Sequence, residues 1–311
     1  MDRRDFLKTL AVTGAVMTVQ RSEAMDILAQ KLTNAGGGKV DLVAVMGGEP
    51  EAMFRRAITE MGGMKQFIKP GQKVVVKPNI GWDKVPELAG NTNPKLVAEI
   101  VKQCLAAGAK EVTVFDHTCD DWQTCYKNSG IEEAAKAAGA KVMPAHLESY
   151  YKPVSLPKGV RMKSAKVHEA ILNSDVWINV PILKNHGGAN LTISMKNHMG
   201  IVWDRGFFHS NDLQQCIADV CTYSKKPVLN VVDAFRIVKA NGPQGRSVAD
   251  VVNTKGLFIS QDIVAVDTAA TKFFGQVRDM PLNHVGHLAN GQKLKLGTMD
   301  IDKLNIKRIK I

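Results

Sequence analysis

One stretch of the chain joins an apolar run directly to polar side chains: Val176-Trp177-Ile178-Asn179-Val180-Pro181-Ile182-Leu183-Lys184-Asn185-His186. An apolar run of this length predicts a buried strand from Val176 to Leu183. Ligands of open α/β sheets bind where parallel strands end. The stretch therefore predicts a functional site at the Lys-Asn-His tripeptide that follows the strand.

The Lys-Asn-His tripeptide occurs a second time, as Lys196-Asn197-His198. Ammonium groups suit an anionic ligand, and imidazoles suit a metal ion or proton transfer near neutral pH. Gly187-Gly188 lies between the two copies. It is either an ordinary flexible turn or a turn whose backbone amides bind an anion.

Short β-rich runs alternate with helical patterns along most of the chain, which is typical of α/β proteins. The clearest helix begins with Asn93 as N-cap and Pro94 in its first turn, and it ends before Gly108. The other predicted helices are Ile131 to Ala138, Asp212 to Thr222 and Ile263 to Phe274. The predicted strands are Val40 to Met46, Lys73 to Val76, Glu111 to Phe115, Lys141 to Met143, Val176 to Leu183, Pro227 to Val232 and Gly256 to Ile259. We predict an α/β fold with a mostly parallel sheet flanked by helices in three layers.

Polar residues follow several of these strands, and parallel strands bring such ends together. The residues predicted to act in catalysis are His186, His198, Lys184, Lys196 and Asp233. Those predicted to bind the ligand or a cofactor are Lys77, Asn79, Asn185, Gly187, Gly188 and Asn197. The predicted ligands of a metal ion are His186, His198, His117 and His209. The alternatives are that Asp116 and Asp233 cap turns or helices, and that His117 and His209 are plain loop residues.

The N-terminus has the pattern of a twin-arginine export signal. Arg3-Arg4 precedes a weakly apolar run from Leu10 to Val19, and Ser22-Glu23-Ala24 offers a cleavage site after Ala24. We expect a signal peptide over 1–24, a linker over 25–39 and one α/β domain over 40–311. The predicted partner is then the twin-arginine machinery, and the predicted location is the periplasm or another exported compartment. No other apolar run is long enough to leave a transmembrane anchor after cleavage.

The formal net charge of +11 favours an anionic small molecule as ligand. The export signal and the even spread of lysines argue against nucleic acid. None of the five cysteines forms a Cys-x-x-Cys pair, which argues against an iron–sulfur cluster. Cys119 and Cys125 flank a loop, so they either form a disulfide or remain free.

Five segments together resemble the family called domain of unknown function 362. They are Val76-Lys77-Pro78-Asn79, Asn91-Thr92-Asn93-Pro94, Ile178 to His186, Thr192 to Gly200 and Asp233 to Gly245. The resemblance covers about 40 to 275 and implies an α/β fold without naming a reaction. Some relatives carry ferredoxin-like cysteine clusters, which this chain lacks. Two classes of function therefore remain: an exported enzyme, dependent on a metal or cofactor or on neither, and a non-catalytic protein that binds an anion or a metal.

Overall fold

The structure is a computed structural model that describes residues 39–311. The predicted signal peptide lies outside the described residues, as does the predicted linker except for its last residue. No helix between residues 39 and 311 is long and apolar enough to cross a membrane.

Twelve strands and ten helices are found in the described part of the chain. The strands are β1 Leu42–Met46, β2 Lys73–Pro78, β3 Glu111–Val114, β4 Lys141–Val142, β5 Tyr151–Ser155, β6 Ser164–His168, β7 Val176–Val180, β8 Ile182–His186, β9 Asn190–Thr192, β10 Leu229–Val238, β11 Val251–Ser260 and β12 Ile306–Lys310. The helices are α1 Pro50–Glu60, α2 Pro94–Ala106, α3 Trp122–Asn128, α4 Ile131–Ala137, α5 Glu169–Asn173, α6 Ser194–Asn197, α7 Gly206–Ser210, α8 Leu213–Val220, α9 Ile263–Phe274 and α10 Gly286–Lys293.

The main sheet has the strand order β12-β1-β11-β10-β7-β2-β3-β4. Strands β4, β3, β2, β7 and β10 run parallel to one another, while β11 is antiparallel to both β10 and β1. Strand β8 leaves this path, pairing in parallel with β10 and antiparallel with β9. The predicted α/β fold with a mostly parallel sheet is confirmed.

Helices cover both faces of the sheet, because the strands alternate their apolar side chains between two cores. Val74 and Val76 of β2 belong to one core, together with apolar residues of α1, α2 and α4. Val75 of the same strand and Trp177 of β7 belong to the other, together with residues of α8, α9 and α10. Side chains of a strand point alternately to opposite faces, so a sheet buried on both sides needs apolar residues at consecutive positions. This gives the three predicted layers.

The strand predicted from Val176 to Leu183 is wrong in its length. Pro181 has no backbone N–H to donate to a ladder, and it separates β7 from β8. The first Lys-Asn-His copy therefore lies inside β8, at Lys184, Asn185 and His186, and not after a strand end.

Two other predicted strands are too short. Strand β10 continues past Val232 to Val238, and β11 begins at Val251 rather than at Gly256. The two strands pair as a long antiparallel ladder with a register shift between Ala234 and Arg236. Asp233 consequently lies within β10, paired with Leu257 of β11.

Asp233 is a buried structural carboxylate whose protonation should affect stability. It accepts hydrogen bonds from the backbone N–H groups of Asn93, at 2.7 Å, and Phe235, at 3.0 Å, and it is 1 % exposed. Burial raises the pKa of Asp233 to about 6 from an ordinary value of 3.8. The folded protein therefore binds more protons than the unfolded chain in this pH range, and the stability that this group contributes is lost as pH rises through about 6.

We predict that Asp233→Asn gains stability relative to the wild type as the pH rises from about 4 to about 7, because the amide carries no charge to bury. Urea unfolding of both proteins across this range measures the difference in the free energy of unfolding. A difference that stays constant with pH would contradict the assignment.

Candidate functional site

A cleft of about 390 Å³ lies beyond the carboxyl ends of β2 and β3. It gathers eight of the residues predicted for the site, which are Lys77, Asn79, His117, Lys184, His186, Lys196, Asn197 and His209. Its other lining residues are Gly81, Trp82, Asp116, Cys119, Thr192, Met199, Gly200, Arg205, Gly206 and Pro243. Five predicted site residues do not line it, namely Asp233, Asn185, Gly187, Gly188 and His198.

A buried ion pair forms one wall of the cleft. The Nζ of Lys77 lies 2.7 Å from Oδ1 of Asp116, and the two side chains are 1 % and 2 % exposed. The other carboxylate oxygen of Asp116 accepts a hydrogen bond from the backbone N–H of Ile80 at 2.7 Å. Burial lowers the pKa of Lys77, and the neighbouring Asp116 opposes that shift. Lys77 thus already has a carboxylate partner inside the protein.

Gly200 makes room for this ion pair. A Cβ atom at Gly200 would lie 1.9 Å from Oδ1 of Asp116 and 2.4 Å from Nζ of Lys77. Real Cβ atoms never approach other atoms so closely, so any side chain at this position must displace the pair.

Buried amides connect the ion pair to the sheet. Asn197 Oδ1 accepts hydrogen bonds from Lys77 Nζ at 2.9 Å and from Asn79 Nδ2 at 3.2 Å. Asn197 Nδ2 donates to Asn179 Oδ1 at 2.9 Å, and Asn179 Nδ2 donates to Asn230 Oδ1 at 3.0 Å. Asn179 and Asn230 sit side by side on the parallel strands β7 and β10. The sequence prediction missed both, although an amide inside an apolar run was the available signal.

Lys184 reaches the cleft from β8 without a carboxylate partner in residues 39–311. Its Nζ donates to Asn79 Oδ1 at 2.9 Å and to the carbonyl oxygen of Gly90. The side chain is 1 % exposed. Burial, followed by the charge of Lys196, lowers the pKa of Lys184 to about 7. This amine therefore exchanges its proton near neutral pH.

Lys196 lies on α6 and is half-buried. Its Nζ has no hydrogen-bond or ion-pair partner within the described residues. Burial lowers the pKa of Lys196 to about 8, and the charges of Arg205 and Lys77 act in the same direction. The second Lys-Asn-His copy is held in place by Asp267 of α9, which accepts hydrogen bonds from the backbone N–H groups of Ser194 and Met195 at 2.9 and 2.8 Å.

Arg205 forms hydrogen bonds to the loop that follows β3. Its guanidinium donates to the carbonyl oxygens of His117, at 2.9 Å, and Thr118, and to Sγ of Cys119 at 3.2 Å.

Cys119 is exposed and Cys125 is buried, and both are free thiols, so the alternative of a disulfide between them is not realised.

Two histidines of the cleft have opposite tautomers, as their hydrogen bonds require. Nδ1 of His186 accepts from the backbone N–H groups of Gly188 and Ala189, each at 3.1 Å, so the proton of the neutral ring is on Nε2. Nδ1 of His117 lies 2.9 Å from the carbonyl oxygen of Val202 and must donate to it, which leaves a lone pair on Nε2. Burial is the main cause that lowers the pKa of His186 to about 2 and that of His117 to about 4. Both rings are neutral at pH 7.

The predicted metal site has no support in the described residues. No group of three or more His, Cys, Asp and Glu side chains between residues 39 and 311 could hold a metal ion. His198 is 2 % exposed, packs its ring against Trp177 and hydrogen-bonds through Nδ1 to the carbonyl oxygen of Ser194. His186 has no free lone pair, because Nδ1 accepts two N–H groups and Nε2 bears the proton. His209 is exposed at the rim.

The glycine turn between the two copies hydrogen-bonds to His186 and does not line the cleft. The N–H of Gly188 is used by the imidazole, and Gly187 is exposed. Asn185 faces a different loop, where its Oδ1 accepts from the N–H of Gly242 at 3.1 Å. These positions give the predicted binding roles of Asn185, Gly187 and Gly188 no geometric support, and the same holds for the predicted catalytic roles of Asp233 and His198.

Thr192 lines the cleft but is not among the predicted site residues. It lies opposite Lys184 in the β8–β9 ladder and is 2 % exposed. Its Oγ1 is buried and has no hydrogen-bond partner in the described part of the protein. A buried hydroxyl without a partner is costly, and here it borders the cleft. A ligand in the cleft is the natural partner.

A family model described as "Domain of unknown function (DUF362)" matches residues 74–272. A thylakoid-associated protein of Synechocystis sp. is 24% identical over 229 residues, which are 71% of this chain and 68% of that protein. The solved structure of the lactate racemase apoprotein from Thermoanaerobacterium thermosaccharolyticum is 12% identical, with a TM-score of 0.49. The matched region covers 79% of this chain but only 59% of that one. A likeness of this degree transfers no activity.

We predict that Gly200→Ala disrupts the ion pair between Lys77 and Asp116. Removing one partner of a buried pair costs about 3–5 kcal/mol, so displacing the pair should lower the free energy of unfolding by up to about this amount. Gly187→Ala is the matched control, because a Cβ there meets nothing within 4 Å. Chemical unfolding of both variants measures the effect, and equal stabilities would contradict the packing of Gly200 against the pair.

Proposed function

The chain belongs to the family described as domain of unknown function 362, and because that description assigns no reaction, we propose a function from the chemistry of the cleft. The protein is an exported enzyme that binds an anionic small molecule, bearing a carboxylate or a phosphate, and moves a proton on it. Lys184 and Lys196 hold the anion. Beside the anion, His186 donates a hydrogen bond through its Nε2, and His117 offers an acceptor at its Nε2.

The observation that carries this proposal is the uncompensated charge of the two lysines. Among the described residues, four basic side chains line the cleft, at Lys77, Lys184, Lys196 and Arg205, and one carboxylate does, at Asp116. That carboxylate is already paired with Lys77. Burial lowers the pKa of both lysines, and the charge of Lys196 lowers that of Lys184 further. A bound anion would offset these unfavourable effects on the charged amines.

The opposite tautomers favour an enzyme over a protein that only captures anions. His117 presents an acceptor at Nε2, while His186 presents a donor at its own Nε2. A neutral imidazole that donates a hydrogen bond can polarise a substrate carbonyl without giving up its proton. Lys184 can take up or release a proton near pH 7. Simple anion capture would need the lysines alone, and a protein without turnover remains the competing function.

The proposal of export rests on the residues before the described part of the chain. Arg3-Arg4 followed by an apolar run has the anatomy of a twin-arginine signal. We predict that replacing both arginines with lysine, Arg3→Lys and Arg4→Lys, retains the protein in the cytoplasm. Cell fractionation with immunodetection measures this, and undiminished export of the double variant would contradict the signal.

We predict that sulfate, which does not titrate near neutral pH, raises the melting temperature of the wild type through the cleft. Lys196→Gln should lose most of the increase, whereas Lys65→Gln, which removes the same charge from an exposed position outside the cleft, should keep it. Because Lys184 and Lys196 must be protonated to hold the anion, the increase should weaken as pH rises through about 7 and about 8. Sulfate also stabilises proteins by exclusion from their surface, so equal shifts in all three proteins would show that the cleft binds no anion.

A further inference from the structure

We propose that Lys184 is a nucleophile that forms an imine with the carbonyl carbon of a 2-oxo acid. This inference rests on the proposed function, since it requires that the cleft bind the carboxylate of the same molecule. It adds a covalent step and names the substrate class: a small acid whose carboxylate is bonded directly to a ketone or aldehyde carbon.

The two hydrogen bonds of Lys184 are compatible with a neutral amine, which has two hydrogens to donate. Both partners of its Nζ, Asn79 Oδ1 and the carbonyl oxygen of Gly90, are acceptors, and no carboxylate in residues 39–311 pairs with it. A tetrahedral amine that donates its two hydrogens to these acceptors keeps one direction for its lone pair. Lys184 lines the cleft, so this third direction is where a substrate carbon can approach. Lysines desolvated in this way act as nucleophiles toward carbonyl groups.

The other lysines of the cleft are unsuited to this step. Lys77 is already paired with Asp116. Lys196 is half-buried and has no acceptor among the described residues to hold its hydrogens. It therefore suits the carboxylate of the substrate, beside Lys184.

The hydroxyl of Thr192 is the proposed hydrogen-bond donor to the substrate oxygen. Its buried hydroxyl lacks a partner and lies across the ladder from Lys184. The oxygen that develops when an amine attacks a carbonyl is an acceptor, and a hydroxyl donor beside the attacking amine would stabilise it. The Nε2–H of His186, on the same strand as Lys184, is a second donor to the cleft.

The step balances without an oxidant or a reductant. The lone pair of the Lys184 nitrogen forms a bond to the carbonyl carbon, and the π electrons move to oxygen, which takes a proton. The nitrogen loses one proton to solvent or to Nε2 of His117. The resulting hydroxyl group then takes up a second proton, from solvent or from the protonated His117. The nitrogen lone pair forms the carbon–nitrogen double bond as the carbon–oxygen bond breaks, and water leaves. The protonated imine keeps one N–H, which one of the two existing acceptors can still receive.

The test treats the full-length protein with pyruvate and cyanoborohydride, which reduces an imine to a stable secondary amine. We expect intact mass to increase by one reduced pyruvate unit, and peptide mapping to place it on Lys184. Acetate, which has the carboxylate but no ketone, should slow labelling by competition. Lys184→Met should abolish the adduct, and Lys65→Met, an exposed control, should retain it.

The hydroxyl of Thr192 supplies a second measurement. Thr192→Val should reduce the rate of trapping about fivefold, the effect of one lost hydrogen bond, and Thr192→Ser should restore it. Wild-type protein that is stabilised by sulfate yet gains no adduct would overturn the imine while leaving anion binding intact. Labelling spread over surface lysines, or found on Lys196, would overturn it equally. If the protein is not stabilised by sulfate and also forms no adduct, the proposed function is contradicted as well.

Discussion

The ion pair between Lys77 and Asp116 is the constraint on which the site depends. Within residues 39–311, Asp116 is the only carboxylate that lines the cleft, and it is paired with Lys77. A buried pair needs further hydrogen bonds to its polar atoms. Here Lys77 donates one to Asn197, and Asp116 accepts one from the N–H of Ile80. The pair also fixes the backbone at Gly200, where no side chain fits. The ends of β2 and β3 and the segment after α6 are thereby locked around one wall.

Because Asp116 is paired with Lys77, the side chains that line the cleft carry an excess of positive charge. With Asp116 committed, Lys184 and Lys196 face the cleft with no counterion in residues 39–311. Proteins rarely leave such groups uncompensated, and their pKa values shift toward the neutral form when they do. A cleft of this kind favours an anion, and it also leaves an amine whose lone pair is available. The proposed anion binding and the proposed reactivity of Lys184 thus have the same cause, which is the lack of a counterion for Lys184 and Lys196.

The sequence predicted part of the site through its strand ends and its repeated tripeptide. Lys77, Lys184 and Lys196 do meet in one cleft, although they come from β2, β8 and α6 and not all from strand ends. The two copies, however, are not equivalent. His186 faces the cleft from β8, whereas His198 packs against Trp177 in the core. An identical tripeptide gives different orientations on a strand and after a short helix, because side chains repeat with different periods in the two.

The sequence by itself determined the α/β class, since consecutive apolar residues in strands and periodic apolar residues in helices are local signals. It also determined the excess of positive charge. Tertiary structure alone decided that the chain beyond Pro181 forms a separate strand, β8, which pairs with β9 and β10. It alone assigned Asp233 to the core and Thr192 to the cleft. The physical reason is that burial, tautomers and counterions depend on neighbours distant in the chain, and no local pattern records which carboxylate reaches which lysine.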